Sequence, residues 1–258
     1  MIFRRILAHV KTQNWLAVGI DFVIVVVGVF VATQVSNWND ANRDRARGEG
    51  YLASIHGELL TDAAAIERRA VFWGQVAGYG EDALSYAERG TLKNGSAWET
   101  VLAFFQASQI WPYTATDTTY RELTGAGELS LIRDSTMRAA LADYYVVRKS
   151  RLDPMFAELP AYRETIRGLT PMHVQSHIWA NCHRAVVDGT EEAQALLPCE
   201  SPISEAEARE ILRTYMAAPE VLRGLRFWMS TIRVYSDLSA HDRQTAMRLA
   251  ERIETESN

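Results

Sequence analysis

The stretch from Leu16 to Val35, LAVGIDFVIVVVGVFVATQV, limits what this chain can be more than any other part of it. As a helix, about 20 residues reach roughly 30 Å, the thickness of a bilayer's hydrocarbon core. The charge-free part, Phe22 to Val35, reaches only about 21 Å and cannot span unaided. A spanning helix therefore includes Asp21. Trp15 and Trp38 flank the segment as an aromatic belt does. A transmembrane helix over residues 15–38 is the expectation. A buried core helix is the first alternative, but VIVVVGVFVA is too uniformly apolar for a partly solvated helix. A cleaved signal peptide is the second, but VATQVSNWND contains no A-x-A-like site. The reading is an uncleaved signal anchor.

Residues 1–14 carry a pattern of their own. Ile2, Phe3, Ile6, Leu7 and Val10 share one helical face, and Arg4, Arg5 and Lys11 supply cations. This suits a basic amphipathic segment lying in the membrane interface, or an unstructured basic start. Orientation is nearly a tie, because Arg43, Arg45 and Arg47 balance the N-terminal cations. The free amino terminus tips it towards an N-terminus inside and the large domain outside.

Asp21 is costly within a span and calls for a partner. From it runs the seam Asp21, Val25, Gly28, Ala32, Val35 and Asn39, spaced 4, 3, 4, 3, 4. Small residues in the middle of such a seam allow close helix approach. A helix–helix contact follows, with a second copy or another membrane protein. The alternative is a protonated Asp21 near the headgroups.

VVVGVFVATQVSNWND resembles the signature of a bacterial family of single-pass, membrane-anchored proteins of unknown function: an apolar V-V-x-G stretch, then a Q-x-x-N-W-N box. Val25, Val26, Gly28, Gln34, Asn37, Trp38 and Asn39 carry the match. TTYRELTGAGELSLIRD, with Tyr144 and Tyr145 beyond it, is similar to the family's second marked region. The resemblance implies an anchor in the bacterial inner membrane, a cytoplasmic N-terminus and a helical periplasmic domain. It implies no reaction or ligand.

The remainder is expected to form one helical domain, residues 39–258. The 258-residue chain is 48% hydrophobic and 23% charged with a net charge of −5, and so lacks the basic face of a nucleic-acid binder. Leu52, Ile55, Leu59, Ile66 and Val71 recur at helical spacing, with a flexible joint expected near Gly48. Ser96 and Glu99 form a capping-box pattern before AWETVLAFFQASQIW, and Pro112 should end that helix. A helix over 117–123 leads into the Gly125-x-Gly127 turn, and Leu129 to Ile132 is a connector or isolated strand. Asp134 is a candidate N-cap for a helix bearing Met137, Leu141 and Tyr144, with Leu152 further on. Asp153-Pro154 should start another. Residues 168–203 are the least regular. Ser204 and Glu207 cap a further helix. Leu225, Trp228, Ile232 and Tyr235 mark a buried seam, and Ser239 with Asp242 could restart it before Ala246, Leu249 and Ile253. Period 3.6 dominates, so the expected class is all-α with antiparallel bundle-like packing.

Cys182 and Cys199, about 17 residues apart, are candidates for a disulfide outside the cytoplasm; the alternative is two buried thiols. His173, His177 and His183 lie in the same region, and His173, His177 and Cys182 are a weak zinc set. No H-E-x-x-H, Walker loop or G-x-S-x-G occurs. Gly78, Gly80 and Ala83 fit G-x-G-x-x-A but follow a helical stretch, where a kink is the better reading. Phe104, Phe105, Trp111 and Tyr113, and Phe227, Trp228 and Tyr235, belong to the core or to a pocket between helices. Tyr144, Tyr145 and Arg148 line a polar mouth or a solvated face. No cofactor, metal or catalytic residue is expected. The expected partners are membrane lipid and another membrane protein or a second copy, with any small ligand unknown. The first functional reading is a non-enzymatic interaction or scaffold protein. The second is an extracytoplasmic ligand-binding or sensory module. It would signal through a partner, since the residues before the span are too few for an output domain.

Overall fold

The computed structural model describes residues 15–113, 115–148, 158–188 and 191–257. Residues 1–14, Leu152 and the Asp153-Pro154 signal lie outside the described residues. Two compact units divide the chain, Met1–Gly50 and Tyr51–Asn258.

Helix α1 is Trp15–Arg89. In the first unit its apolar side chains are bare. From Ile20 to Val35 the large hydrophobic side chains are 48% to 68% exposed, so no core covers them among the described residues. Each such side chain in water forgoes about 1.5–3 kcal/mol of burial. The helix is long and apolar enough to cross a membrane. Gly48, Gly50 and Gly57, near the expected joint, all have helical backbone.

Among the described residues the second unit is all-α apart from one hairpin. After α1 come α2 (Ala97–Gln106), α3 (Thr118–Gly125), α4 (Ser135–Ala142) and a π-helical turn, Asp143–Arg148. Then follow α5 (Ala161–Leu169), α6 (Met172–Asn181), the antiparallel pair β1 (His183–Asp188) and β2 (Glu191–Leu196), α7 (Glu205–Ala217) and α8 (Pro219–Ser257).

The bundle is organised by two long seams. On α1, Ile55, Leu59, Asp62, Ile66, Arg69, Trp73, Val76, Gly80 and Ala83 repeat with alternating gaps of four and three. On α8, Val221, Leu225, Trp228, Ile232, Tyr235, Ser239, Asp242, Ala246, Leu249 and Ile253 do the same. A period of 3.5 residues keeps one face of each helix inward over many turns. The helices run antiparallel: Arg226 pairs with Glu88 at 2.9 Å and Arg243 with Glu67 at 2.6 Å. The apolar core forms two clusters. One gathers Trp73, Phe104, Phe105, Tyr215 and Trp228; the other gathers Ile55, Leu59, Leu123, Met137, Leu141 and Leu249.

Local signals set several element ends. The Ser96 hydroxyl accepts from Glu99 N–H. The Glu99 carboxylate turns to Asn94 instead of returning to Ser96, so the box is half made. Ser204 and Glu207 form both halves. Asp134 caps α4 through Thr136 N–H at 2.8 Å. Gly90 and Gly127, at φ 72° and 71°, take the left-handed conformation that stops α1 and α3.

Four expectations are corrected. Helix α2 ends at Gln106, before Pro112, because the backbone turns tightly at Ala107 and Ser108. Gly78 and Gly80 make no kink: Gly80 is buried in continuous helix, and a Cβ there would strike the Met229 thioether. Ser239 and Asp242 do not restart α8; they are the polar positions of an uninterrupted seam. Residues 168–203 are mostly regular. Gln75 holds β2 to α1 as a strand would, donating to Leu196 C=O at 3.2 Å and accepting Leu196 N–H at 2.9 Å.

Candidate functional site

Both seams turn polar at the same level. Arg69 on α1 and Ser239 on α8 stand between the two core clusters, with Asp62 and Asp242 beside them. A cavity of about 170 Å³ opens there, lined by Ile66, Arg69, Trp73, Tyr113, Tyr235 and Ser239 among others. Trp73 and Tyr235 form an aromatic wall, with ring centroids 5.2 Å apart. The Arg69 guanidinium lies 4.4 Å from the Trp111 ring centroid and donates to Pro112 C=O at 3.2 Å. The Arg243–Glu67 pair, also in the lining, bridges the two helices.

One edge of the cavity leads to a buried carboxylate. Asp62 is 1% exposed. It accepts Thr116 N–H at 3.0 Å and the Tyr144 hydroxyl at 3.1 Å. The Tyr113 hydroxyl faces the same carboxylate but completes no good hydrogen bond among the described residues. Burial pushes the hydroxyls of Tyr113, Tyr144 and Tyr145 well above the ordinary tyrosine range, so all three stay protonated and can donate. One turn earlier, Glu58 accepts Thr119 N–H and the Thr119 hydroxyl, capping α3 from another helix. Glu205 does the same for α2 through Ala97 N–H.

Burial also raises the Asp62 pKa, outweighing the hydrogen bonds that lower it. The folded chain therefore binds this proton more tightly than the unfolded chain. The resulting stability is complete below the unfolded carboxylate pKa and is lost as pH rises through the folded value. Asp62→Asn cannot titrate. Its melting temperature relative to wild type should shift upward as pH rises above the ordinary carboxylate range of about 4. A difference independent of pH would exclude Asp62 as the titrating group.

The structure distributes the sequence candidates unevenly. Asp21, Val25, Gly28, Ala32, Val35 and Asn39 are all exposed on α1, as is Trp38. Arg4, Arg5 and Lys11 lie outside the described residues, and Trp15 begins α1. Cys182 and Cys199 are joined in a disulfide with Cα atoms 5.2 Å apart. His177 stands beside that pair. His173 is exposed on α6, while His183 sits on β1 against Gln194 at 3.3 Å, so the three histidines do not converge. Tyr144 and Tyr145 are buried in the Asp62 cluster. Phe227 is 76% exposed, outside the core expected for it. Asp62 and Arg69 went unnoticed in the sequence, although each interrupts an apolar seam at a core position.

No family model, curated protein or solved structure matches the chain.

Proposed function

We propose that this chain is a membrane-anchored, non-enzymatic binding module. The bare apolar helix of residues 19–35 supports the anchor; the inner-membrane site, cytoplasmic start and periplasmic domain rest on the family resemblance alone. The cavity at the polar level of the α1–α8 seam carries the binding half of the reading. A space of about 170 Å³ takes a small molecule of roughly a dozen non-hydrogen atoms or fewer. Trp73 and Tyr235 suit a flat apolar body, and the surrounding hydroxyls and charged groups suit a polar edge. A ligand bridging α1 and α8 there would bear on the helix that carries the anchor.

The test is ligand content. Full-length protein purified in detergent should carry, or take up from a small-metabolite library, one such molecule per chain by native mass spectrometry. Ala240 also lines the cavity, so the larger side chain of Ala240→Phe should cut occupancy at least tenfold while the melting temperature changes little. Equal occupancy in the filled variant, or an empty wild type, rejects the reading. What then remains is the scaffold alternative, in which Asp21, Val25, Gly28, Ala32, Val35 and Asn39 contact another membrane helix.

A further inference from the structure

Away from the cavity, one cluster gathers soft ligand atoms. A ring nitrogen of His177 and the sulfurs of Cys182 and Cys199 lie within 4.8 Å of one another, the one such trio found among the described residues. While the disulfide is closed, neither sulfur can act as a thiolate ligand. We infer that reduction of this disulfide opens a metal site, in which His177, Cys182 and Cys199 bind a zinc-type divalent ion and leave a fourth position for water. This inference does not rest on the cavity reading.

The chemistry balances with a dithiol as reductant. The dithiol supplies two electrons and two protons and closes to its own disulfide, while the Cys182–Cys199 bond breaks and each sulfur takes a proton. The incoming M²⁺ then displaces both protons and forms two metal–thiolate bonds and one metal–imidazole bond. Bond lengths of about 2.3 Å to sulfur and 2.0 Å to nitrogen require ligand atoms about 3.5–3.8 Å apart in a tetrahedron. The ring nitrogen already lies within 4.8 Å of both sulfurs, and the sulfurs, bonded to each other while the disulfide is closed, must move apart to that span once it is reduced.

The protein holds these ligands by means other than the disulfide. Cys182 C=O accepts from the Gln106 amide at 2.7 Å and from Leu197 N–H at 2.9 Å. Cys182 N–H donates to Ile178 C=O at the end of α6. Cys199 C=O accepts the Trp98 indole N–H at 3.0 Å, and the Trp98 ring stands edge-on to His177. Both cysteine backbones therefore stay tied to α2 when the S–S bond is gone. The His177 ring is fixed by hydrogen bonds at both nitrogens. Its Nε2 lies 2.9 Å from Glu200 C=O, which can only accept, so Nε2 carries the proton and Nδ1 keeps the lone pair. The Asn181 amide donates to that lone pair at 3.2 Å, a hydrogen bond that a metal at Nδ1 would replace.

Cobalt(II) is the probe, because thiolate coordination gives it a charge-transfer absorption that zinc lacks. Full-length protein in detergent is reduced anaerobically, freed of reductant and titrated. One Co²⁺ per chain should bind with thiolate charge-transfer and tetrahedral bands, and Zn²⁺ should displace it. The oxidised chain should show neither band. His177→Ala should weaken binding at least about 100-fold, more than loss of an outer-shell partner does. His183→Ala should leave the affinity unchanged, and both variants should keep the wild-type melting temperature when oxidised. Absence of the bands in reduced wild type overturns the proposal, as does His177→Ala binding as tightly as wild type. Equal weakening by His183→Ala overturns the ligand set.

Discussion

Trp228→Ala should lower the unfolding free energy by about 3–5 kcal/mol, the usual cost of emptying a buried tryptophan site. Trp228 is 3% exposed and stands edge-on to Trp73 at 6.2 Å. It also donates its indole N–H to Ala107 C=O at 2.7 Å, which ties α8 to the tight turn that ends α2. Alanine leaves a cavity at that seam and strips the Ala107 carbonyl of a buried donor, so two penalties add. A domain of this size loses about 2–4 °C of melting temperature per kcal/mol, so a fall of roughly 6–20 °C should appear in thermal melts followed by circular dichroism. Trp228→Phe fills most of the space but cannot donate, and should fall between. A shift below about 2 °C for the alanine variant would mean that this seam does not hold the bundle together.

The second large effect is loss of the cross-link. Replacing Cys182 and Cys199 together by alanine should cost about 3 kcal/mol, because a loop of this length loses roughly that much denatured-state restriction. The separation is 17 residues and spans the hairpin. Melting should fall by about 6–12 °C, and wild type treated with reductant should fall similarly. The double variant should ignore reductant. A wild type insensitive to reductant would mean that the disulfide contributes nothing to stability. The hydrogen bonds from Gln106, Trp98 and Gln75 should keep the region folded in either state, which the metal titration requires.

Legibility tracked the range of the interaction. Ser204 with Glu207, Asp134 with Thr136, and the left-handed glycines at 90 and 127 act within four residues, so the string shows them. The hairpin β1–β2 was missed because α1 supplies its support through Gln75, far along the chain from β2. The caps that Glu58 and Glu205 place on α3 and α2 were invisible for the same reason: each donor is far along the chain from its acceptor. Asp62 and Arg69 had a sequence signal, a polar residue in an apolar seam. It could be read only after Ser239 and Asp242 were seen at the same level on the antiparallel partner.

The sequence by itself determined the two unlike parts of this protein. An apolar stretch of about 20 residues leads, and helices of period 3.5–3.6 follow, because hydrophobic periodicity is a one-dimensional property. Only the tertiary structure decided where function can reside. Whether a polar seam residue restarts a helix or opens a cavity depends on what faces it. Whether a histidine is a loop residue or a potential ligand depends on which sulfurs lie within a few ångströms. Both are set by how α1, α2, α6 and α8 pack, and packing brings together residues that the string keeps far apart.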